Sequence, residues 1–176
     1  MLLANSRICL RTAVLIMAFA LMAACGDRRE AGRTERNGIE FGIWMPDSNG
    51  ELRFQPTLEV PYVDQQAFGW RLKGTVPDRP VQWVERLQLP AAPDSWEGVL
   101  ESPNVTVSDD GRTATTFGMS MPEDEFIGNV WYVSAGDPIG DCRISVEFAD
   151  GRKASFRFTI VAPKDGRPPA SAGEVI

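Results

Sequence analysis

Ten prolines fall between Pro46 and Pro138, and they limit this chain more than any other feature. Each lacks a backbone N–H and clashes with the preceding helical turn, so no long helix fits among them. Apolar residues also fail to recur at helical spacing over any long window. They alternate instead. Phe68, Trp70, Leu72 and Val76 are apolar while Arg71, Lys73 and Thr75 are polar. Cys142, Ile144, Val146 and Phe148 alternate with Arg143, Ser145 and Glu147. Ala154, Phe156, Phe158 and Ile160 alternate with Ser155, Arg157 and Thr159. A period of two with one apolar face marks an antiparallel strand that is buried on one side.

Face parity then sets hairpin register. A two-residue turn at Asp150-Gly151 would place inward Phe148 opposite outward Lys153, so the loop must be odd. The three-residue loop Ala149-Asp150-Gly151, with Gly151 left-handed, pairs Phe148 with Arg152, Val146 with Ala154 and Ile144 with Phe156. The same reasoning gives Asp109-Asp110-Gly111 as a loop pairing Val107 with Thr113 and Val105 with Thr115. Further strands are expected near residues 39–45, 51–54, 58–63, 81–89 and 127–134. The total, eight or nine short strands, predicts an all-β, antiparallel two-sheet sandwich, with a small β-barrel as the alternative. The Pro-rich connection 90–97 is the expected crossing between sheets.

The chain contains no histidine, which removes Ser-His-Asp and Cys-His nucleophilic machinery and His-ligated metals. Its 18 basic and 24 acidic side chains give a net charge of -6, with no basic run to neutralise phosphates, so nucleic acid is not an expected partner. No cofactor or metal site is expected.

The N-terminus reads as an address. Arg7 and Arg11 precede an apolar run over residues 13–24, shorter than the roughly 20 residues a membrane-spanning helix needs. That is the pattern of a signal peptide over residues 1–24. The stretch Leu21-Met22-Ala23-Ala24-Cys25 resembles the bacterial lipobox, with Met22 where leucine is usual. The resemblance implies cleavage before Cys25, acylation of Cys25 and a membrane anchor; Gly26 after the cysteine implies the periplasmic face of the outer membrane. An ordinary secretory signal with an incidental Cys25 is the alternative. Residues 25–38, rich in Arg and acids, read as a tether, residues 39–163 as the domain and residues 164–176 as a tail. The domain carries ten basic and nineteen acidic side chains, a net charge of -9. The mature chain would retain one thiol unmodified by lipid, Cys142, and so no internal disulfide.

Phe68-Gly69-Trp70-Arg71, Trp131-Tyr132-Val133, Gly136-Asp137-Pro138-Ile139-Gly140 and the closing Phe156–Val161 segment together resemble immunoglobulin-like sandwich domains of bacterial envelope proteins. The resemblance implies a fold and brings no catalytic residues. The step Gly140-Asp141-Cys142 lies where many such domains carry Gly-x-Tyr, so a tyrosine corner is not expected there.

Candidate chemistry is sparse. Asp109-Asp110 read as turn residues, and Cys142 shares the inward face of Ile144 and Val146, where thiols are inert. Trp70 and Trp83 read as core. Trp96 either caps the sandwich or stands exposed, where it could stack on a sugar or anchor a partner. Glu123, Asp124 and Glu125 read as an exposed loop open to calcium or a cationic partner. The sequence therefore points to a non-enzymatic, lipid-anchored envelope module that binds a protein or glycan. The rival is a carboxylate-dependent envelope hydrolase or a carbohydrate-binding protein, marked by Asp or Glu lining a pocket beside Trp96.

Overall fold

The computed structural model describes residues 32–73, 77–96 and 98–162. The chain divides into two units, Met1–Gly32 and Arg33–Ile176, and every described strand belongs to the second. The expected signal peptide, Cys25, the tether as far as residue 31 and the 164–176 tail lie outside the described residues.

Eleven strands follow one another: β1 (Glu35–Arg36), β2 (Ile39–Pro46), β3 (Leu52–Pro56), β4 (Glu59–Pro61), β5 (Ala67–Leu72), β6 (Val81–Gln88), β7 (Val105–Val107), β8 (Thr113–Ser120), β9 (Gly128–Tyr132), β10 (Gly140–Phe148) and β11 (Lys153–Val161). They form two sheets, one in the order β1-β2-β5-β9 with β3 also on β2, the other β4-β11-β10-β6-β8-β7. The sheets stay separate, so the fold is the two-sheet sandwich and not the barrel. Pairing is antiparallel except where β4 runs parallel to β11. The count exceeds eight or nine because the alternation misses very short strands. Among these is β1, which pairs with β2 inside the segment read as tether.

Hydrophobic alternation explains the core. In β10 and β11 the inward residues Cys142, Ile144, Val146, Phe148, Ala154, Phe156, Phe158 and Ile160 are all buried. Facing them from the other sheet, Phe41 sits 4.6 Å from Phe158 and 5.7 Å from Phe156, ring centre to ring centre. Trp70 meets Trp83 and Phe148 edge-on at 5.2 and 5.6 Å. Such offset and edge contacts suit aromatic quadrupoles. Trp70 and Trp83 are thus core residues, as their phase indicated.

The β10–β11 hairpin has the register parity required. Val146 pairs with Ala154 and Ile144 with Phe156, while Phe148 N–H donates to the Arg152 carbonyl at 2.9 Å and the Phe148 carbonyl accepts from Gly151 N–H at 3.0 Å, closing a loop whose Gly151 is left-handed at φ 86°. The β7–β8 hairpin is shifted by one residue from expectation: Val107 pairs with Ala114 and Val105 with Thr116. Ala114, Thr116 and Ser120 are the buried positions of β8, whereas the expected pairing takes Thr113 and Thr115. Threonine serves on either face, so parity was ambiguous there. The loop has an even length, closed by Ser108 N–H on the Thr113 carbonyl at 2.9 Å.

Residues 90–97 do not cross between sheets either. They leave β6 and lead to β7 in the same sheet. The crossings follow β3, β4, β5, β8 and β9, whose successors lie in the opposite sheet.

Close packing also requires a glycine at position 118. A Cβ on Gly118 would lie 2.1 Å from the Trp83 ring, whose indole N–H donates to Ser120 Oγ at 3.2 Å. Gly118→Ala is expected to lower stability by about 1–3 kcal/mol through overpacking, measured by urea unfolding. An unchanged midpoint would contradict this packing.

Candidate functional site

One inward position of β6 breaks the apolar rule. Val81, Trp83, Glu85 and Leu87 share a phase, and Glu85 is 0% exposed. Its Oε2 accepts from the Trp70 indole at 2.5 Å and from Asn129 Nδ2 at 3.1 Å, while Oε1 accepts from the Trp131 indole at 2.5 Å. Trp70 lies on β5 and the other two on β9, so one carboxyl ties a strand of one sheet to two strands of the other. The register explains the convergence: Trp70 pairs with Asn129 across β5 and β9. Burial pushes the Glu85 carboxyl above the ordinary glutamate range, and the three donated bonds draw it back. All three partners donate as placed, which suits a carboxylate.

Trp131 links this anchor to the outside. Phe68, Leu87, Trp96, Trp131, Tyr132 and Asp137 are among the residues lining a cavity of about 260 Å³ at the end of the sandwich. Trp96 is half-buried and meets Trp131 edge-on, with centroids 6.4 Å apart. The loop carrying it is fastened on two sides. The Trp96 indole donates to the Gly111 carbonyl at 2.9 Å, and Asp94 N–H donates to the Gly136 carbonyl at 3.2 Å. Trp96 therefore packs against the sandwich while still lining a cavity.

Asp137 supplies the cavity's sole carboxylate among the described lining residues. Its Oδ2 accepts from Ser134 N–H at 2.8 Å, and burial moves its pKa upward against that bond. Ser134 also lines the cavity. Gly136, left-handed at φ 90°, lacks the Cβ that would lie 2.7 Å from Asp94 Oδ2, so Asp94 rests beside the same turn.

The other candidates lie apart from this site. Glu123, Asp124 and Glu125 follow the far end of β8, whereas the Trp96–Gly111 bond lies before its beginning. An eight-residue strand, about 25 Å long, separates them. Asp124 closes its own turn, accepting from Met121 N–H at 2.6 Å; Glu123 and Glu125 are exposed. Among the described residues no three acidic or thiol side chains gather as a metal site would. Cys142 is 4% exposed and its pKa is pushed up to about 12, chiefly by burial. That leaves essentially no thiolate near neutrality.

Sequence reading overlooked Glu85, although the signal was present: a charged residue in phase with Trp83 and Leu87. Asp137 gave no comparable signal, because it follows Trp131 in a turn after β9 while Trp96, which completes the cavity, comes from the distant connection between β6 and β7.

Replacing Glu85 tests the anchor. Glu85→Gln keeps one acceptor oxygen but turns an NH₂ toward a donor, and is expected to lower stability by about 1–3 kcal/mol. Between the ordinary glutamate pKa and the raised native value, the folded chain keeps a proton that the unfolded chain has released. Glu85 therefore makes stability fall as pH rises through that window. Urea unfolding at a series of pH values should show a stability difference between wild type and Glu85→Gln that narrows with rising pH there; a constant difference would contradict the assignment.

The family match agrees with the architecture. The PM0630 beta sandwich domain family matches residues 39–161. Among solved structures, an immunoglobulin-like protein from Pseudomonas aeruginosa aligns with 73% of this chain and 95% of its own, at 20% identity and a TM-score of 0.40. Curated proteins give no match. With 123 of its 176 residues spanned by that family, this chain belongs to the PM0630 beta sandwich domain family.

Proposed function

We propose that the chain is a lipid-anchored, non-enzymatic binding module of the bacterial cell envelope, held by Cys25 and a short tether and binding through the end of its sandwich. The observation that carries the binding part is the cavity bounded by Trp96, Trp131, Tyr132 and Asp137. It joins aromatic surface to a single described carboxylate. Hydrolysis by paired carboxyl groups needs a second carboxylate facing the same bond, so this lining favours holding a ligand over cleaving one. The lipobox-like Leu21-Met22-Ala23-Ala24-Cys25 supports the anchor, and Gly26 after the cysteine supports the outer-membrane location. A diacylated cysteine anchors stably where a single chain would not.

Carbohydrate binding is the second reading, because Asp137 lines the same cavity as Trp96 and an aromatic body can stack on a sugar ring. Cys25→Ala tests the anchor directly. The wild-type chain is expected to incorporate a labelled fatty acid and to sediment with membranes, and the variant to lose the label. Label retained by Cys25→Ala would overturn lipidation at this residue.

A further inference from the structure

We infer that the end cavity bounded by Trp96, Trp131, Tyr132 and Asp137 is a binding site for an alkylammonium group, as carried by a free amine or by a lysine side chain. This rests on the reading of the same cavity as a ligand site and names the chemistry it selects.

The two indoles have already spent their polar atoms. Trp96 N–H is held by the Gly111 carbonyl and Trp131 N–H by Glu85. What they present to the cavity is aromatic carbon surface, and a ring face turned to an entering cation attracts it through its quadrupole. Their planes lie 73° apart, so an entering group meets two differently oriented rings. Hydrogen-bonding specificity for a sugar hydroxyl would instead need free donors and acceptors, and the indole N–H groups are not available for that.

Asp137 supplies the opposite charge. Burial raises its pKa, and its influences include no neighbouring cation. No basic side chain among the described residues is paired with it. A partly desolvated carboxylate without a counter-charge favours a cation more strongly than a solvated one does. Asp94, resting on Gly136 at the adjacent turn, adds a second negative charge nearby. The domain's net charge of -9 draws cations toward it over a longer range. A cavity of about 260 Å³ is small for a ligand pocket, which suits one narrow chain ending in an ammonium group.

Positioning comes from within the core. Glu85 fixes the Trp131 ring from behind, and Gly111 fixes Trp96, so the two walls are set before a ligand arrives. Preorganised aromatic walls avoid the ordering cost that weakens binding by mobile side chains.

Tryptophan fluorescence of the full chain in detergent, titrated with 1,5-diaminopentane and with the capped peptide Gly-Lys-Gly, tests this inference. A methyl glycoside of N-acetylglucosamine and the same peptide with acetylated lysine serve as neutral probes. Saturable binding by at least one of the two amines is expected, with no response to the neutral probes. The stronger amine then identifies the source as a free amine or a lysine side chain. Asp137→Asn retains an acceptor for Ser134 N–H and removes only the charge, so it should fold normally and weaken amine binding tenfold or more. Trp96→Leu should weaken it independently. Binding of the glycoside without either amine would overturn the ammonium inference and leave the cavity as a binding site. Equal binding by Asp137→Asn, or no response to any probe, would also overturn it. In the last case the proposed binding function loses its cavity, while the Cys25 test of the anchor stands separately.

Discussion

A buried carboxyl held by two indoles and an amide is the interaction on which the rest of this structure depends. Glu85 stands on β6 and receives bonds from Trp70 on β5 and from Asn129 and Trp131 on β9. Dispersion and hydrophobic burial hold two sheets together but specify their relative position weakly, because apolar contacts are non-directional. Three hydrogen bonds converging on two oxygens are directional. They fix how far β6 sits along β5 and β9 of the facing sheet and where each indole N–H points. Burying a charged or polar group is unfavourable unless its bonding capacity is met, so an alternative register that broke these bonds would be strongly disfavoured. Directional bonding here contributes conformational specificity in an otherwise oily core.

The same tie connects core to surface. Trp131 has one edge bound to Glu85 and another part of its ring lining the end cavity, where it meets Trp96. The Trp96 loop leaves β6 and returns to its own sheet, pinned between Gly111 and Gly136. Rigid strands thus define one wall and a fastened loop the other. This division is common in sandwiches, where sheets provide the frame and end loops the contact surface. The acidic loop Glu123-Asp124-Glu125 lies at the other end of β8 and cannot share this site.

Much of the architecture was legible in the alternation of Cys142–Phe148 and Ala154–Ile160, because strongly apolar residues leave only one choice of inward face. The β10–β11 register followed from that parity. The β7–β8 register did not, since Thr113, Thr115 and Thr116 are compatible with either environment and only Ala114 separates them. Short β1 carries too few residues to reveal a period. Glu85 was legible in principle from its phase with Trp83 and Leu87, but its three donors come from β5 and β9, which the local alternation of β6 does not show. The cavity was not legible: Trp131 and Asp137 are near neighbours in the chain, but Trp96 comes from the distant connection between β6 and β7, and only the sheet order brings the two segments to one end.

The most direct test of this account is the indole N–H region of a nuclear magnetic resonance spectrum of the folded protein with ¹⁵N-labelled tryptophan. The Trp70 and Trp131 N–H signals should exchange with solvent far more slowly than that of an exposed indole, and both should shift when Glu85 is replaced by Gln. Fast exchange at both positions, or signals unmoved by Glu85→Gln, would contradict a carboxyl-centred tie between the sheets.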